Sequence, residues 1–573
     1  MIRRPASTLI ALAIYAVLAA AVFESTWVDP AGRWIGSPKD PQLFIWYLGW
    51  IPHQLSLGLS PLFTDHLSYP AGVNLMWNTS MIFPAVVLWP VTAALGPVVA
   101  YNVLITGGIA LSAWFGFLAA RRFVDRDVPC FLAGLVYGFS PGMIAQALGH
   151  PHVVVALFPP VALLLGHGIL VRRRLNPVVA GALAGVAGAL QLLTGEELLA
   201  ATLVVAAFGV ALLALMHRHE VPASLPYVAK AAGAAVVVFV ILAAYPLGFQ
   251  FLGPQRVSGS VQQPDVYVSD LLAFFLPSNL IRFTGNVTEN DAYVGVPLLA
   301  LFAAGLALGW RIPRIRWIGL MALVVGVLSL GPHLHVNGHV TPVWLPWALV
   351  ARLPLMESAL PARLMDIGFL GVGIVVAFAC ARALTAPRTW RVAAGVLLLA
   401  GLVAVAPPVP YASVAAKAPA FFKPRGDVEK IPPGSVVLIT PFSSKESTDA
   451  MYWQALAGYR FRMPEGDAFT PGPYLGPHPS FLESTLDELD AGHPVEMTPE
   501  VRAMALADIK SFGVTTIAAG PSPGERAIVE FLTQVEGRAP VDDQGIEVWW
   551  TVTEPDGPLA SRRWSNGCGQ AAR

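Results

Sequence analysis

Long apolar runs constrain the fold of this sequence more than any other feature. Of its residues 55% are hydrophobic and 13% charged, whereas soluble domains carry about 25% charged residues. A run of about 17–25 apolar residues is long enough to cross a bilayer. The sequence therefore predicts an integral membrane protein with spans near 98–120, 129–148, 152–171, 177–194, 197–216, 229–250, 292–310, 316–331, 364–383 and 391–407.

One further run, Leu9–Phe23, follows the basic pair Arg3-Arg4 at the start of the chain. A basic start and an apolar run are typical of either a cleaved signal peptide or a signal anchor. Because many membrane segments follow, we interpret this run as an anchor. In both cases the residues after it are exported.

The arginines predict the topology. They cluster in short loops near 121–122, 172–174, 217–219, 311–316 and 382–391. All these loops share the side of Arg3-Arg4 only if the short run Met81–Leu95, which Pro84 and Pro90 interrupt, does not cross. Positive charge marks the cytoplasmic side, so we interpret 81–95 as re-entrant or interfacial. The prediction is about 11 spans, with the N-terminus cytoplasmic and the C-terminus outside.

The composition becomes that of a soluble protein after the proline-rich stretch Pro407–Pro410. Apolar patterns predict strands and helices there. The expected fold class is mainly α, a polytopic transmembrane helix bundle (1–409, with a first outer loop at 24–80) followed by an extracytoplasmic α/β domain (410–573). The expected strands are 435–440, 515–519 and 545–552, and the expected helices are 449–456, 498–511 and 523–535.

Asp40 is the candidate catalytic residue of the first outer loop. It lies where polar sequence gives way to an aromatic, amphipathic run, Leu43–Leu59, which predicts a helix along the membrane surface. A carboxylate held there could act as a base on a substrate in the membrane. Alternatively, Asp40 is the N-cap of this helix, with Pro41 at the first helical position. The two interpretations are compatible.

Two polar turns lie at the outer ends of predicted spans. Ionisable groups at the hydrocarbon boundary cost free energy and therefore suggest function. Glu196 and Glu197 are candidates for substrate binding, or acids favoured by the dipole at a helix N-terminus. His150 and His152 are candidates for binding a phosphate or an acceptor sugar, or ordinary interfacial histidines.

Arginines on the outer face oppose the positive-inside bias, which makes them informative. Arg363 begins a span from the outside, and Arg352 lies in the same loop. A guanidinium can hold a phosphate through two hydrogen bonds, so both residues are candidate substrate-binding groups. The alternative is that Arg363 pairs with Glu357, Asp366 or lipid headgroups.

Several function classes have no support in the sequence. The three cysteines are far apart and neither HExxH nor CxxC occurs, so a zinc site is not indicated. A divalent metal is neither required nor excluded, and no other cofactor is indicated. Walker A, GxSxG and kinase patterns are absent as ordered constellations. The formal net charge of zero gives no reason to expect a nucleic-acid partner.

The arrangement resembles the GT-C superfamily of polytopic glycosyltransferases. The resemblance covers roughly residues 1–407 and lies in the basic N-terminus, the first span, and a long outer loop with an acid near its start. Asp40, in Lys39-Asp40-Pro41-Gln42-Leu43, occupies the place of that acid. The segments 69–75, 149–152 and 360–363 look like segments of bacterial relatives. There is no clear Asp-x-Asp pair in the first outer loop, so metal dependence stays open.

The resemblance implies a polyprenyl-phosphate sugar as donor and a cell-envelope glycan or lipid as acceptor, with membrane lipid around the protein. Transfer would occur on the outer face, invert the sugar, and use Asp40 as general base. An arginine would neutralise the charge on the leaving phosphate. Two other functions stay open: a lipid or glycan transporter or flippase, and a non-catalytic scaffold for envelope assembly.

Overall fold

A computed structural model describes residues 5–259, 265–285, 292–353, 356–442, 447–472 and 475–552, except for the side chain of Glu357. It divides into two compact units. The first contains 1–64, 74–417 and 469–477, and the second contains 65–73, 418–468 and 478–573. The expected boundary at 409/410 therefore lies a few residues too early, because the strand Ser413–Ala415 pairs with Arg33–Ile35 in the first unit.

The first unit is helical, with short strands in its loops. Its elements are α1 (Pro5–Val22), α2 (Glu24–Trp27), β1 (Arg33–Ile35), α3 (Asp40–Ser56), β2 (Phe63–Thr64), β3 (Val73–Asn74, which begins at the unit boundary), α4 (Ile82–Val87), α5 (Trp89–Leu95), α6 (Pro97–Ala120), α7 (Asp127–Gly138), α8 (Pro141–Gln146), α9 (Pro151–Val154), α10 (Phe158–His167), α11 (Pro177–Leu192), α12 (Glu196–Met216), α13 (Val221–Leu252), α14 (Val296–Gly309), α15 (Pro313–Ser329), β4 (His333–Val336), β5 (His339–Trp344), α16 (Trp347–Val350), α17 (Leu364–Ala383), α18 (Arg388–Ala404) and β6 (Ser413–Ala415).

Each of the eleven predicted apolar segments contains a helix. Within the described residues, six helical segments are long and apolar enough to cross a bilayer: 5–22, 97–120, 151–172, 196–216, 221–252 and 361–383. The helices in the other five segments are 12 to 17 residues long. The protein is thus a multi-pass membrane protein, and the number of eleven crossings stays a prediction.

The run 81–95 forms two short helices instead of one span. Helix α4 has six residues and α5 has seven, and the chain turns between them at Leu88. At about 1.5 Å of rise per residue each covers roughly 10 Å, against a hydrocarbon core about 30 Å thick. These lengths fit the interpretation that this segment does not cross.

Helix α3 is surrounded by protein over part of its length. Five consecutive residues, Phe44–Leu48, are buried in the protein. Successive helical residues point about 100° apart, so burial of five in a row means that protein surrounds the helix there. Its neighbours include α4, α5 and α6. The aromatic side chains of this run pack inside the first unit. That the helix lies along the membrane surface stays a prediction.

The second unit is a small α/β fold. Its elements are β7 (Val437–Thr440), α19 (Asp449–Leu456), α20 (Phe481–Asp490), α21 (Pro499–Phe512), β8 (Thr516–Ala519), α22 (Glu525–Glu536), β9 (Val541–Asp542) and β10 (Glu547–Trp550). The strand order is β7-β8-β10-β9, with β7 parallel to β8 and the other pairs antiparallel. All six elements expected from the sequence are present.

Two features of this unit were not expected. Helix α20 has a local signal, since the Ser480 side chain accepts a hydrogen bond from the Glu483 amide and Ser-x-x-Glu is a capping sequence. The contribution of residues 65–73 from the first outer loop has no such signal. Ser68 and Tyr69 donate backbone hydrogen bonds to the carbonyls of Glu465 and Met463. This pairing joins segments almost 400 positions apart.

A carboxylic acid lies in the interior of the second unit. Glu465 is buried, its Oε1 accepts a hydrogen bond from the Ile439 amide at 3.2 Å, and its Oε2 has no hydrogen-bond partner among the described residues. Burial raises the pKa of Glu465 well above its usual value, because the charged form loses its hydration. The folded unit therefore holds a proton that the unfolded chain releases more readily.

The first prediction concerns topology. A reporter enzyme that is active only outside the cytoplasm should be active when it is fused after Pro410. The same reporter should be inactive when fused after Arg173, since the arginine loops are expected inside. Activity of the Arg173 fusion together with inactivity of the Pro410 fusion would mean that 81–95 crosses.

The second prediction concerns pH. Stability from a raised acid pKa is present below the unfolded pKa and is lost as pH rises through the folded pKa. Glu465→Gln cannot ionise and keeps the shape of the side chain. We expect it to slow amide exchange in β7 relative to wild type at pH 8, with a difference that shrinks toward pH 5. Glu488→Gln, at an exposed position, is the control. Equal exchange in wild type and Glu465→Gln across this range would contradict the prediction.

Candidate functional site

Asp40 is the first residue of α3, and its side chain is about half exposed (46%). The N-cap of the helix is Lys39, which makes no side-chain capping bond. Asp40 is therefore not the N-cap, and Pro41 is the second helical residue. A carboxylate in the first turn is stabilised in its charged form by the helix dipole. The fold thus presents an anionic oxygen at a defined place.

The loop before α9 closes on Asp40. The His150 Nε2 lies 3.7 Å from Asp40 Oδ2. Gly149 makes this approach possible, since a Cβ added there would lie 2.7 Å from Asp40 Cβ and 2.9 Å from its Oδ2. Any larger residue at position 149 would displace either the loop or the carboxylate.

His152 connects this pair to the next. Its ring lies 5.9 Å from that of His150, nearly perpendicular to it, and packs 5.6 Å from the ring of Phe44. Its Nε2 is 3.8 Å from Glu197 Oε2. The two histidines therefore bridge the region between Asp40 and Glu197.

Glu197 and Arg363 form an ion pair through Oε2 and Nη1. Glu197 lies in the first turn of α12, and Arg363 is the N-cap of α17. A cation is disfavoured at a helix N-terminus and an anion is favoured there, so the pair stabilises the guanidinium in an unfavourable place. Arg363 thus pairs with Glu197, which is itself a candidate substrate-binding residue. The side chain of Glu357, another expected partner, lies outside the described residues.

The ion pair lines a small cavity. Its other walls are apolar: Val153, Leu198, Ala201, Trp347, Met356, Ala359, Leu360 and Leu364. One charged pair in an apolar chamber suits a ligand with an anionic head and a hydrocarbon part. Asp40, His150 and His152 do not line this cavity. They reach it only through the contact of His152 with Glu197.

Glu196 points elsewhere. Its Oε2 accepts a hydrogen bond from Gln250 Nε2 at 2.9 Å, and it lines a second small cavity. Arg352 is exposed and does not line either cavity. The structure therefore brings Asp40, His150, His152, Glu197 and Arg363 into one row, places Glu196 beside it, and leaves Arg352 apart.

Three residues of the site were missed from the sequence. Gln250 is an amide near the end of the long apolar helix α13, and a polar group at such depth is a signal that could have found it. Trp347 and Met356 line the first cavity, but apolar side chains in an apolar sequence give no comparable signal. Of the described His, Cys, Asp and Glu residues, no group of three or more is arranged to hold a metal ion.

The third prediction concerns the approach to Asp40. Gly149→Ala should lower the melting temperature, because overpacking of this kind costs typically about 1–3 kcal/mol. Gly107→Ala is the matched control, since a Cβ there meets nothing within 4 Å. The control should melt at the same temperature as wild type or higher. Equal melting temperatures for wild type and Gly149→Ala would show that the loop yields without cost.

Comparison with known proteins adds the fold family. No protein-family model matches the sequence, and a search of curated proteins returned no match. Among solved structures, arabinofuranosyltransferase AftD from Mycobacteria matches 96% of this chain and 42% of its own, with a TM-score of 0.59 and 15% identity. The present chain therefore spans less than half of that protein.

A second match is the oligosaccharyltransferase of Archaeoglobus fulgidus, with a TM-score of 0.50 and 13% identity over 90% of this chain and 69% of that one. Both neighbours are GT-C glycosyltransferases. At these identities the likeness concerns the fold alone, and it agrees with the helical first unit. The chain therefore shares the fold of these two glycosyltransferases.

Proposed function

We propose that the protein transfers a sugar from a polyprenyl-phosphate donor to a cell-envelope glycan or lipid acceptor on the outer face of the membrane. The observation that carries the proposal is the row of side chains from Asp40 to Arg363. It places a half-exposed carboxylate at one end and an apolar cavity with one ion pair at the other.

The cavity suits the donor. Its apolar walls would take the first isoprene units, and Arg363 would face the phosphate. A guanidinium has five N–H donors, so its bond to Glu197 leaves donor capacity for an anion. Glu197 would hold the guanidinium in place, and its negative charge would offset the positive charge that faces the phosphate. This balance favours release of the phosphate carrier after transfer.

The histidines suit the sugar between the two ends. With the phosphate at Arg363, the sugar would extend past Glu197 toward His152 and His150. The ring nitrogens of these histidines can donate to or accept from sugar hydroxyls. This position would bring the anomeric carbon toward Asp40.

Asp40 would act as general base in a single displacement. It takes the proton of the acceptor hydroxyl while the acceptor oxygen bonds to the anomeric carbon. The bond from that carbon to the phosphate oxygen breaks, and its electron pair leaves with the phosphate. Attack from the face opposite the leaving group inverts the anomeric configuration. The leaving phosphate needs no proton when a cation stabilises its charge.

The fourth prediction separates the two ends of the row. The purified protein would be given a panel of farnesyl-phosphoryl sugars and octyl glycoside acceptors, with products measured by mass spectrometry. Asp40→Asn should lower transfer by about 10²–10⁴-fold, as expected for a general base. It should leave the binding of farnesyl phosphate unchanged.

Arg363→Lys should give the opposite pattern. It keeps the charge but loses a planar pair of donors, and we expect about tenfold weaker binding of farnesyl phosphate, since tenfold corresponds to about 1.4 kcal/mol. Arg282→Lys, at an exposed arginine outside the cavity, is the control. Full transfer by Asp40→Asn would refute the mechanism. A flippase would be established instead by two results together. Neither wild type nor Asp40→Asn would transfer sugar, and Asp40→Asn would move a fluorescent polyprenyl phosphate across vesicle membranes at the wild-type rate.

A further inference from the structure

Strand β5 exposes both of its faces. Five of its six described residues are exposed, and Thr341 is half-buried. Successive residues of a strand point to opposite faces, so neither face is covered by the protein. The exposed side chains include Val340, Val343 and Trp344, of which Trp344 is 66% exposed. In water, an exposed apolar edge strand of this kind promotes aggregation.

The short helix α16 extends this apolar surface. It buries Trp347 and exposes Leu349, which is 69% exposed, and Leu353 just after the helix is exposed as well. Between residues 331 and 353 the sequence contains no aspartate, glutamate or lysine, and Arg352 is its single arginine. An apolar surface with so little charge indicates contact with an apolar partner. We name it the β5–α16 surface, and its residues are Val340, Val343, Trp344, Leu349 and Leu353.

The β5–α16 surface lies at the end of the apolar helix α15. Helix α15 ends at Ser329, and β4 begins four residues later at His333. The register of the hairpin pairs His333 with Trp344, and their rings lie 5.3 Å apart. The Leu345 amide donates to the Pro332 carbonyl, so the chain returns at Trp344 to the level at which the helix ends. Tryptophan is enriched at this level of membrane proteins, where the bilayer meets water.

Helix α12 indicates what covers the neighbouring surface. Trp347 lines the first cavity together with Leu198 and Ala201, so α16 lies beside the first two turns of α12. Helix α12 is long and apolar enough to cross a bilayer, yet only Leu198 and Gly209 of its described residues are buried. A span that is apolar all round and exposed to this extent is covered by lipid. The exposed side of α16 is thus next to a surface that the bilayer covers.

Arg352 is placed to reach lipid headgroups. It is exposed, precedes Leu353 directly, and lines neither of the two cavities. A long arginine side chain can lay its apolar part on hydrocarbon and keep its guanidinium at the membrane surface. There the guanidinium can bind a lipid phosphate through two hydrogen bonds.

We propose that the β5–α16 surface is embedded in the bilayer at the level of the headgroups, with Arg352 bound to lipid phosphate. Its partner is a lipid surface and not a second protein. This contact lies outside the proposed transfer and does not depend on it. The same segment carries one wall of the first cavity, which Trp347 and Met356 line. Anchoring in the bilayer holds this wall at the depth of the headgroups.

The fifth prediction concerns contact with lipid. Leu349→Cys, in a Cys568→Ala background, would carry an NBD fluorophore attached through a maleimide; Cys130 and Cys380 are buried. The full-length protein would be studied in phosphatidylcholine nanodiscs. We expect blue-shifted emission, because the fluorophore leaves water. We also expect quenching by phosphatidylcholine that carries a nitroxide close to its headgroup.

Two labelled variants are the controls for this measurement. Leu203→Cys, at an exposed position of α12, should be quenched by nitroxide lipid, and Met504→Cys, at an exposed position of the second unit, should not. Unquenched, red-shifted emission at position 349 would refute the inference, since the surface would then be in water. Blue-shifted emission without quenching would also refute it, because protein would then cover the surface.

A charge reversal tests the role of Arg352. With the fluorophore at position 349, Arg352→Glu should weaken the quenching, since lipid phosphates repel a carboxylate. Arg352→Lys should retain it, because lysine also reaches the headgroups with its charge. Arg282→Glu, at an exposed arginine of another loop, is the control and should leave the quenching unchanged. Equal quenching with Arg352 and with Arg352→Glu would overturn the assignment of Arg352 to lipid phosphate.

Discussion

The ion pair between Glu197 and Arg363 is the interaction on which the site depends. It joins the starts of two long helices, α12 and α17. Removal of one partner from a buried pair leaves the other charge uncompensated, which is costly. The pair therefore fixes the turn 194–197, and with it the positions of His152, Glu196 and both cavities.

The fold uses close backbone approach to bring the other groups to this pair. Gly149 lets the loop before α9 come against Asp40, and Gly195 lets the turn before α12 come against His152. Both glycines lie between helices, where a side chain would hold the segments apart. The distance between Asp40 and Arg363 therefore depends on the close packing at Gly149 and Gly195 as well as on the polar side chains between them.

The second unit has the core of a soluble protein and is built from two distant parts of the chain. Its core of Leu438, Ile517, Trp549 and helical apolar residues is that of a soluble α/β fold, yet it includes residues 65–73 from the first outer loop. Two distant parts of the chain complete one fold. Formation of this unit therefore requires that residues 65–73 and the segments after residue 418 meet.

The sequence alone determined the class of the protein, the places of its helices and the elements of its second unit. Hydropathy, charge and capping are properties of short segments, so they can be read locally. The start of α3, to within one residue, and the six elements after residue 430 followed from such signals. Only the tertiary structure decided that α3 is buried, that Arg363 pairs with Glu197, and that Glu196 and Glu197 face different cavities. These facts join residues up to 166 positions apart, and the direction of a side chain at a helix start depends on which neighbours the bundle brings to it.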